Sequence, residues 1–185
     1  MGSEMCIRDS TKGYLDAIIS AQQQVYGEFL IPGLLNDTIL SDMQKSVPYA
    51  PNEDGIETPC YIYANYFLAR KLAELDRTAI LKKLSAAHQV KLYTNNPTPQ
   101  LPKVENMGAI DYYEIMPLVF QHSKINLNIT LRSIQKGIPL RAFDIMGSGG
   151  FLLTNYQEDF LNYFVPGEDF IYYSCLLYTS DAADD

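Results

Sequence analysis

The sequence has no tryptophan, two histidines and three cysteines among 185 residues. The histidines, His88 and His122, are interpreted as packing or helix-terminal residues, and no nucleophile motif of serine, histidine and acid is recognisable. No apolar run reaches the roughly eighteen residues of a membrane span. No basic start precedes an apolar core, so no signal peptide is expected. Cytoplasmic location fits these absences.

Both ends of the sequence differ in character from the middle. Residues 1–10 and 175–185 resemble translated adapters from sequencing libraries, because residues 5–9 and 175–180 back-translate to opposite strands of one short DNA. We expect both tails to be foreign and set them aside when predicting the fold. The remaining chain is expected to be a fragment that stops just after a strand.

Setting the tails aside changes the charge and the cysteine content. The whole sequence has 22 acidic and 14 basic residues and a net charge of −8. The tails hold five of these acids and one basic residue, which leaves 17 acids, 13 basic residues and a net charge of −4. This balance gives no indication of a nucleic-acid partner. The one remaining cysteine, Cys60, excludes a disulfide framework and is expected as a small buried apolar residue.

Residues 11–88 are predicted to be a helical segment between domains. Apolar residues recur at helical spacing after residue 11, and the glutamines 22–24 are placed on a solvated face. Helix caps are expected at Asn36 or Asp37 and at Asp76, where a separate fourth helix is predicted to begin. The pair Thr58-Pro59 is predicted to open a third helix, with proline at the tolerated first position.

The pattern changes at residue 90, where short apolar runs begin to alternate with helical patterns. Strands are predicted at residues 90–94, 104–110, 125–130, 150–155 and 169–173, and helices at residues 111–121, 139–147 and 158–164. This alternation favours βαβ units and a parallel sheet. Residues 89–174 are therefore predicted to form a truncated, Rossmann-like α/β domain.

Two asparagines interrupt the predicted strand at residues 125–130. Central strands of a parallel sheet are usually apolar on both faces, so Asn126 and Asn128 need polar partners. One interpretation places them at the carboxyl edge of the sheet, where open α/β sheets bind ligands. The other assigns them to turn chemistry at the strand end. The sequence leaves both open.

A short predicted helix follows the loop that Gly137 and Pro139 shape. Its first turn, at about Leu140, offers free N–H groups and the positive end of the helix dipole, which favour a phosphate. Arg141 is a candidate for binding a pyrophosphate through two hydrogen bonds, and Asp144 is a candidate acceptor for ribose hydroxyls. The alternative is an ion pair between these two residues within the helix.

The glycines at residues 147–150 follow a helix and precede a strand. A dinucleotide-binding fingerprint has the opposite order, since it follows a strand and opens a helix. We therefore interpret these residues as a helix C-cap with a tight turn. One of them, with Gly149 as the candidate, would also allow the backbone to approach a ligand closely.

A series of motifs runs from Asn126 to Asp169. An asparagine-bearing strand is followed by G-x-P-x-R-x-F-[DE], a turn of small residues, G-x-[LF]-L-T and then P-G-E-[DE]. Together these motifs resemble the carboxyl-terminal domain of the CgeB/YkvP-like glycosyltransferases. The resemblance is strong over residues 111–173, and the helical first half also resembles the interdomain region of these proteins.

This resemblance implies half of a GT-B fold, in which two Rossmann-like domains enclose the active site and the carboxyl-terminal one holds a sugar nucleotide. The donor-binding residues that it implies are Asn126, Asn128, Arg141, Asp144, Gly149 and Thr154. The nucleotide sugar is the substrate, and no metal or other cofactor is implied. Asp144 resembles the second acid of the E-x-x-x-x-x-x-x-E motif found in many retaining GT-B enzymes. The first acid has no counterpart, because Lys136 stands eight residues before Asp144.

The activity that the resemblance implies is sugar transfer from a nucleotide donor, in cell-surface glycan synthesis or in spore or protein glycosylation. Its partner is the missing amino-terminal domain of the same protein, without which the chain is expected to be inactive. The alternative is a non-catalytic nucleotide-binding or receiver-like α/β domain. A receiver domain would carry acids after its first strand, whereas residues 90–94 are followed by Asn95.

Overall fold

The computed structural model describes residues 9–49 and 55–173. Residues 1–8 and 174–185, which hold most of the two predicted tails, lie outside the described residues. The chain divides into two compact units: Met1–Leu72 with Leu131–Ser133, and Ala73–Thr130 with Ile134–Asp185.

The first unit is helical, as predicted. Its elements are α1 (Asp9–Gln24), α2 (Ile31–Leu34), α3 (Asp37–Ser46), α4 (Pro59–Ile62), a π-helical segment (Tyr63–Leu68) and the beginning of α5 (Ala69–Ala87). The cap predicted at Asn36 and the helix start predicted at Thr58-Pro59 are confirmed, since Asn36 accepts a hydrogen bond from the first turn of α3 and Thr58 does the same for α4. Cys60 is half-buried, with its sulfur 3.5 Å from the carbonyl oxygen of Pro32.

Gln22 is buried, so its predicted place on a solvated face is wrong. The side chain is 0% exposed. Its Nε2 donates to the carbonyl oxygens of Val25 at 3.1 Å and Glu28 at 2.9 Å, and its Oε1 accepts from the N–H of Leu30 at 2.6 Å. One amide thus satisfies three backbone groups where the chain leaves α1, which a solvated glutamine cannot do.

Arg132 belongs to the first unit although it lies in sequence between two elements of the second. Its Nη1 donates to the carbonyl oxygens of Gln22 at 2.7 Å and Val25 at 3.0 Å. Its guanidinium carbon lies 3.8 Å from the centroid of the Tyr26 ring. The last carbonyls of a helix lack partners within the helix and carry the negative end of its dipole. Arg132 therefore stabilises the carboxyl end of α1.

Asp76 does not cap a separate helix, so that prediction is wrong. The chain is helical from Pro59 through the π-helical segment to Ala87, and Asp76 lies within α5 at 5% exposure. Residues 60–87 contain neither glycine nor proline, and Leu72 and Ile80 continue one buried face. Without a helix breaker, an aspartate alone does not end a helix whose apolar face is packed.

The second unit is α/β, as predicted. After the remainder of α5 come β1 (Val90–Leu92), β2 (Val104–Asn106), α6 (Met116–His122), β3 (Asn126–Asn128), α7 (Leu140–Gly147), β4 (Leu152–Asn155), a 3₁₀ helix (Glu158–Asn162) and β5 (Phe170–Tyr173). All the strand pairs described here are parallel. This arrangement confirms the predicted Rossmann-like class.

Three details of the second unit differ from the prediction. The described strands pair in two sets, β1 with β2 and β3-β4-β5 in that order, rather than in one sheet. The helix predicted from residue 111 begins at Met116, because Asp111 Oδ1 accepts from the N–H groups of Tyr113 at 2.9 Å and Glu114 at 2.6 Å and holds a turn instead. The predicted helix at residues 158–164 is the short 3₁₀ helix.

The apolar core of the second unit lies between α7 and the three-stranded sheet. Its fully buried members are Ala142, Ile145, Leu152, Phe160 and Phe170. The rings of Phe160 and Phe170 stack with their centroids 4.9 Å apart. Each large apolar side chain buried in this way contributes roughly 1.5–3 kcal/mol. This packing fixes one face of α7 on the sheet and leaves its polar face available.

Candidate functional site

The carboxyl ends of β3, β4 and β5 share one edge of the sheet, because the three strands are parallel. Asn128 is paired in register with Thr154, and Asn155 with Tyr173. Open α/β sheets bind ligands beyond this edge, close to the amino ends of the helices that follow. The residues predicted to bind the donor lie on these strands (Asn126, Asn128, Thr154), on α7 (Arg141, Asp144) and in the turn between α7 and β4 (Gly149).

Asn126 is buried, and its amide is used within the protein. Its Nδ2 donates to the carbonyl oxygens of Phe120 at 2.9 Å and Phe151 at 3.3 Å. The side chain therefore ties β3 to α6 and to the start of β4. Its predicted role in nucleotide binding stays a prediction.

Asn128 and Thr154 are buried next to each other. Asn128 Nδ2 donates to Thr154 Oγ1 at 2.9 Å and to Thr130 Oγ1 at 3.0 Å. The N–H of Thr130 donates to Asn155 Oδ1 at 2.7 Å. These bonds meet the need for polar partners that two strand asparagines create. They fix the edge of the sheet, and direct contact of either side chain with a nucleotide stays a prediction.

The loop that leads into α7 is held from the other side by residues following β4. Gly137, at φ 94°, donates its N–H to Asp159 Oδ2 at 2.6 Å. Gln157 Nε2 donates to the carbonyl oxygen of Ile134 at 3.0 Å. Neither Gln157 nor Asp159 was predictable from local spacing, because 22 or 23 residues separate each from its partner. The two bonds set where α7 begins.

The start of α7 has no side-chain cap, and its predicted role as an anion site stays a prediction. Pro139 is the N-cap residue and makes no side-chain hydrogen bond to the first turn. The N–H of Ala142 bonds back to the carbonyl oxygen of Pro139 at 2.9 Å. Leu140 is exposed. The first turn thus carries the positive end of the helix dipole without a side-chain acceptor on its N-cap.

Arg141 and Asp144 lie together on the half-exposed face of α7. Arg141 Nη1 is 3.9 Å from Asp144 Oδ2, which is an ion pair but beyond hydrogen-bond distance. The guanidinium carbon of Arg141 is 5.4 Å from the ring centroid of Tyr112 and 5.7 Å from that of Phe120. Its Nη1 also contacts the sulfur of Met116. The structure therefore brings the two predicted charges together and adds an aromatic wall.

Tyr112, which the sequence did not indicate, joins this cluster through Asp144. Its hydroxyl donates to Asp144 Oδ2 at 2.6 Å. This hydrogen bond, with burial and the negative charge of Asp144, raises the pKa of Tyr112, while Arg141 acts in the opposite direction. Tyr112 therefore remains a neutral donor at physiological pH. It precedes Asp144 by 32 residues, so no local spacing links the two.

The glycines after α7 end the helix, as predicted. Gly149 has φ 76°; its N–H donates to the carbonyl oxygen of Met146 at 2.9 Å, and the N–H of Gly150 donates to that of Ile145 at 2.9 Å. This is a Schellman motif. Close approach of a ligand to Gly149 stays a prediction.

Two absences hold for residues 9–49 and 55–173. Within them, no three His, Cys, Asp or Glu side chains are grouped in a way that could hold a metal ion. Over the same residues, no helix combines the length and apolar character needed to cross a membrane.

A parallel sheet whose strands alternate with helices is a Rossmann-like α/β arrangement. Residues 69–184 match the family described as glycosyl transferase-like. This match covers more than half of the chain and every element from α5 to β5, so the chain belongs to that family. No curated protein and no solved structure gives a significant match.

Proposed function

We propose that the chain is the donor-binding part of a glycosyltransferase and binds the nucleotide of a sugar donor at the start of α7. The observation that carries this proposal is the pairing of Arg141 with Asp144 on one accessible face of α7, within the segment that matches the family. A sugar nucleotide presents an anionic diphosphate beside a ribose diol. A cation and a carboxylate next to each other complement these two groups.

In this proposal each residue has a separate role. Arg141 and the first-turn N–H groups of α7 bind the diphosphate, because both offer donors to an anion. Asp144 accepts hydrogen bonds from the ribose hydroxyls. Asn128 and Thr154, which are both buried, support the site indirectly by fixing the carboxyl edge of the sheet. Gly149 allows the backbone to approach the donor.

The finer assignment follows the resemblance to the CgeB/YkvP-like enzymes. A second Rossmann-like domain of the same protein supplies the acceptor site, the reaction needs no bound metal, and the product is a cell-surface glycan or a glycosylated spore component or protein. The proposal places this activity in the cytoplasm. It treats residues 1–10 and 175–185 as adapter-derived.

Binding is tested by titrating the chain with UDP, GDP and ADP and following amide shifts by NMR. We expect one of these nucleotides to shift the amides at the start of α7. Arg141→Ala and Asp144→Ala should each weaken binding about tenfold, the effect of losing a hydrogen bond to a charged group.

Lys124→Ala is the matched control for Arg141→Ala, and Glu105→Ala is the matched control for Asp144→Ala. Each control removes a charge of the same sign as its site variant from an exposed position of the second unit. They should bind like the wild type. The proposal fails if none of the three nucleotides shifts the spectrum, or if the site variants behave like their controls.

The chain alone is expected to show no turnover with sugar nucleotides, because acceptor binding is assigned to another domain. The measurement is release of nucleoside diphosphate from UDP-, GDP- and ADP-linked sugars over hours. A release rate above that of Asp144→Ala would show that the chain is active without a partner domain.

A further inference from the structure

The backbone around Tyr112 is fixed by hydrogen bonds within its own turn. It lies in the turn that precedes α6, where Asp111 Oδ1 accepts the N–H groups of Tyr113 and Glu114. The carbonyl oxygen of Asp111 also accepts the N–H of Met116 at 3.0 Å. The Tyr112 ring packs edge-on against that of Tyr113, with centroids 5.1 Å apart. The turn therefore presents the Tyr112 hydroxyl from a defined position.

The hydroxyl of Tyr112 occupies the Asp144 oxygen that faces Arg141. Tyr112 and Arg141 both approach Oδ2, but the hydroxyl lies at 2.6 Å and Arg141 Nη1 at 3.9 Å. A hydrogen-bonded arginine–carboxylate pair closes to about 2.7–2.9 Å. Tyr112 thus takes the hydrogen-bonding position on Oδ2 that Arg141 would otherwise occupy. The guanidinium of Arg141 and the carboxylate of Asp144 therefore do not form a close hydrogen-bonded pair.

The second oxygen of Asp144, Oδ1, accepts no hydrogen bond from any residue in the described part of the chain. The side chain of Asp144 is 31% exposed. An ionised carboxylate has capacity for about four hydrogen bonds over its two oxygens. Oδ1 is therefore the oxygen that a ligand can reach while Tyr112 keeps Oδ2.

We propose that Tyr112 is a positioning residue of the donor site: its hydroxyl holds Asp144 Oδ2, which leaves Oδ1 to accept a ribose hydroxyl and Arg141 to bind the diphosphate. This inference rests on the function proposed above and specifies its ligand as a ribonucleotide. Tyr112 acts through Asp144 and does not itself touch the reacting atoms.

The test replaces Tyr112 with phenylalanine, which removes the hydroxyl and keeps the ring beside Arg141. Affinities for UDP, GDP and ADP are measured by calorimetry, each against its 2′,3′-dideoxy analogue. For the nucleotide that binds, we expect Tyr112→Phe to weaken the ribonucleotide about tenfold. The dideoxy analogue has no hydroxyl for Asp144 but still binds Arg141 through its diphosphate, so it should weaken by less than the ribonucleotide does.

Tyr113→Phe is the matched control, because the Tyr113 side chain is 83% exposed and sits on the same turn. It should leave both affinities unchanged. In an Asp144→Asn background, Tyr112→Phe should add no further loss, since the residue through which it acts is already altered.

The outcomes separate the two proposals. If the wild type binds a ribonucleotide and Tyr112→Phe leaves its affinity unchanged, the positioning role is wrong and the proposed function stands. An equal loss for the ribose and dideoxy forms also overturns the positioning role, because it would show a general effect of the tyrosine. If the wild type binds no nucleotide, both proposals fall together.

Discussion

Replacing Gly150 with alanine is expected to destabilise the second unit by about 3 kcal/mol. A Cβ at this position would lie 2.7 Å from Asn126 Nδ2, 2.7 Å from the carbonyl oxygen of Phe120 and 3.1 Å from that of Ile145. Two of these atoms are backbone oxygens and cannot swing aside. Overpacking of this kind costs roughly 1–3 kcal/mol, and displacing Asn126 leaves buried polar groups without partners, at roughly 1–3 kcal/mol more.

The neighbouring glycines provide internal controls for this measurement by urea unfolding. Gly147 lies at the end of α7, and a Cβ added there would meet nothing within 4 Å, so Gly147→Ala should stabilise by about 0.5–1 kcal/mol through helix propensity. Gly149→Ala meets no atoms but has φ 76°, and should cost roughly 1–2 kcal/mol. If Gly150→Ala has the same free energy of unfolding as Gly147→Ala, the close contacts described around Gly150 are contradicted.

Replacing Gln22 with leucine is expected to destabilise the first unit by about 2–4 kcal/mol. Leucine fills a similar volume but offers no partner to the carbonyl oxygen of Glu28 or to the N–H of Leu30, whereas the carbonyl oxygen of Val25 keeps its hydrogen bond from Arg132. Each buried polar group that loses its partner costs roughly 1–3 kcal/mol. The turn after α1 should therefore loosen before the rest of the unit.

Amide hydrogen exchange locates this effect. The N–H of Leu30 should lose protection in Gln22→Leu, because its acceptor is removed. Gln24→Leu is the matched control, since Gln24 is exposed on the same helix and surface changes usually stay within about 0.5 kcal/mol. Equal stability of the two variants would contradict the structural role of Gln22.

Features that depend on a few adjacent residues were predictable from the sequence. Asn36 and Thr58 cap helices because a short polar side chain before a helical pattern bonds to the first turn. The glycine stop after α7 was predicted because glycine tolerates positive φ and follows the last apolar residue of the helix. The order of strands and helices in the second unit followed from hydrophobic spacing.

Features that depend on distant partners were not predictable in the same way. Gln22 and Asp76 are polar, and composition alone places such residues on the surface, but the fold buries both. The contact of Tyr112 with Asp144 joins two elements that the sequence does not relate. Helix α7 and the closeness of Arg141 to Asp144 were therefore predictable, whereas the tyrosine that contacts Asp144 was not; the role of these residues in donor binding stays a prediction.

The length of the turn at residues 148–150 also sets the register of β4. The N–H of Gly150 is fixed to Ile145 in α7, and two residues later Leu152 pairs in register with Asn126. Side chains of a strand alternate between its two faces, so one inserted residue here would exchange the inward and outward sets of β4. Phe151 and Leu153 would then replace Leu152 and Thr154 in the interior. The length of this turn decides which residues of β4 the core receives.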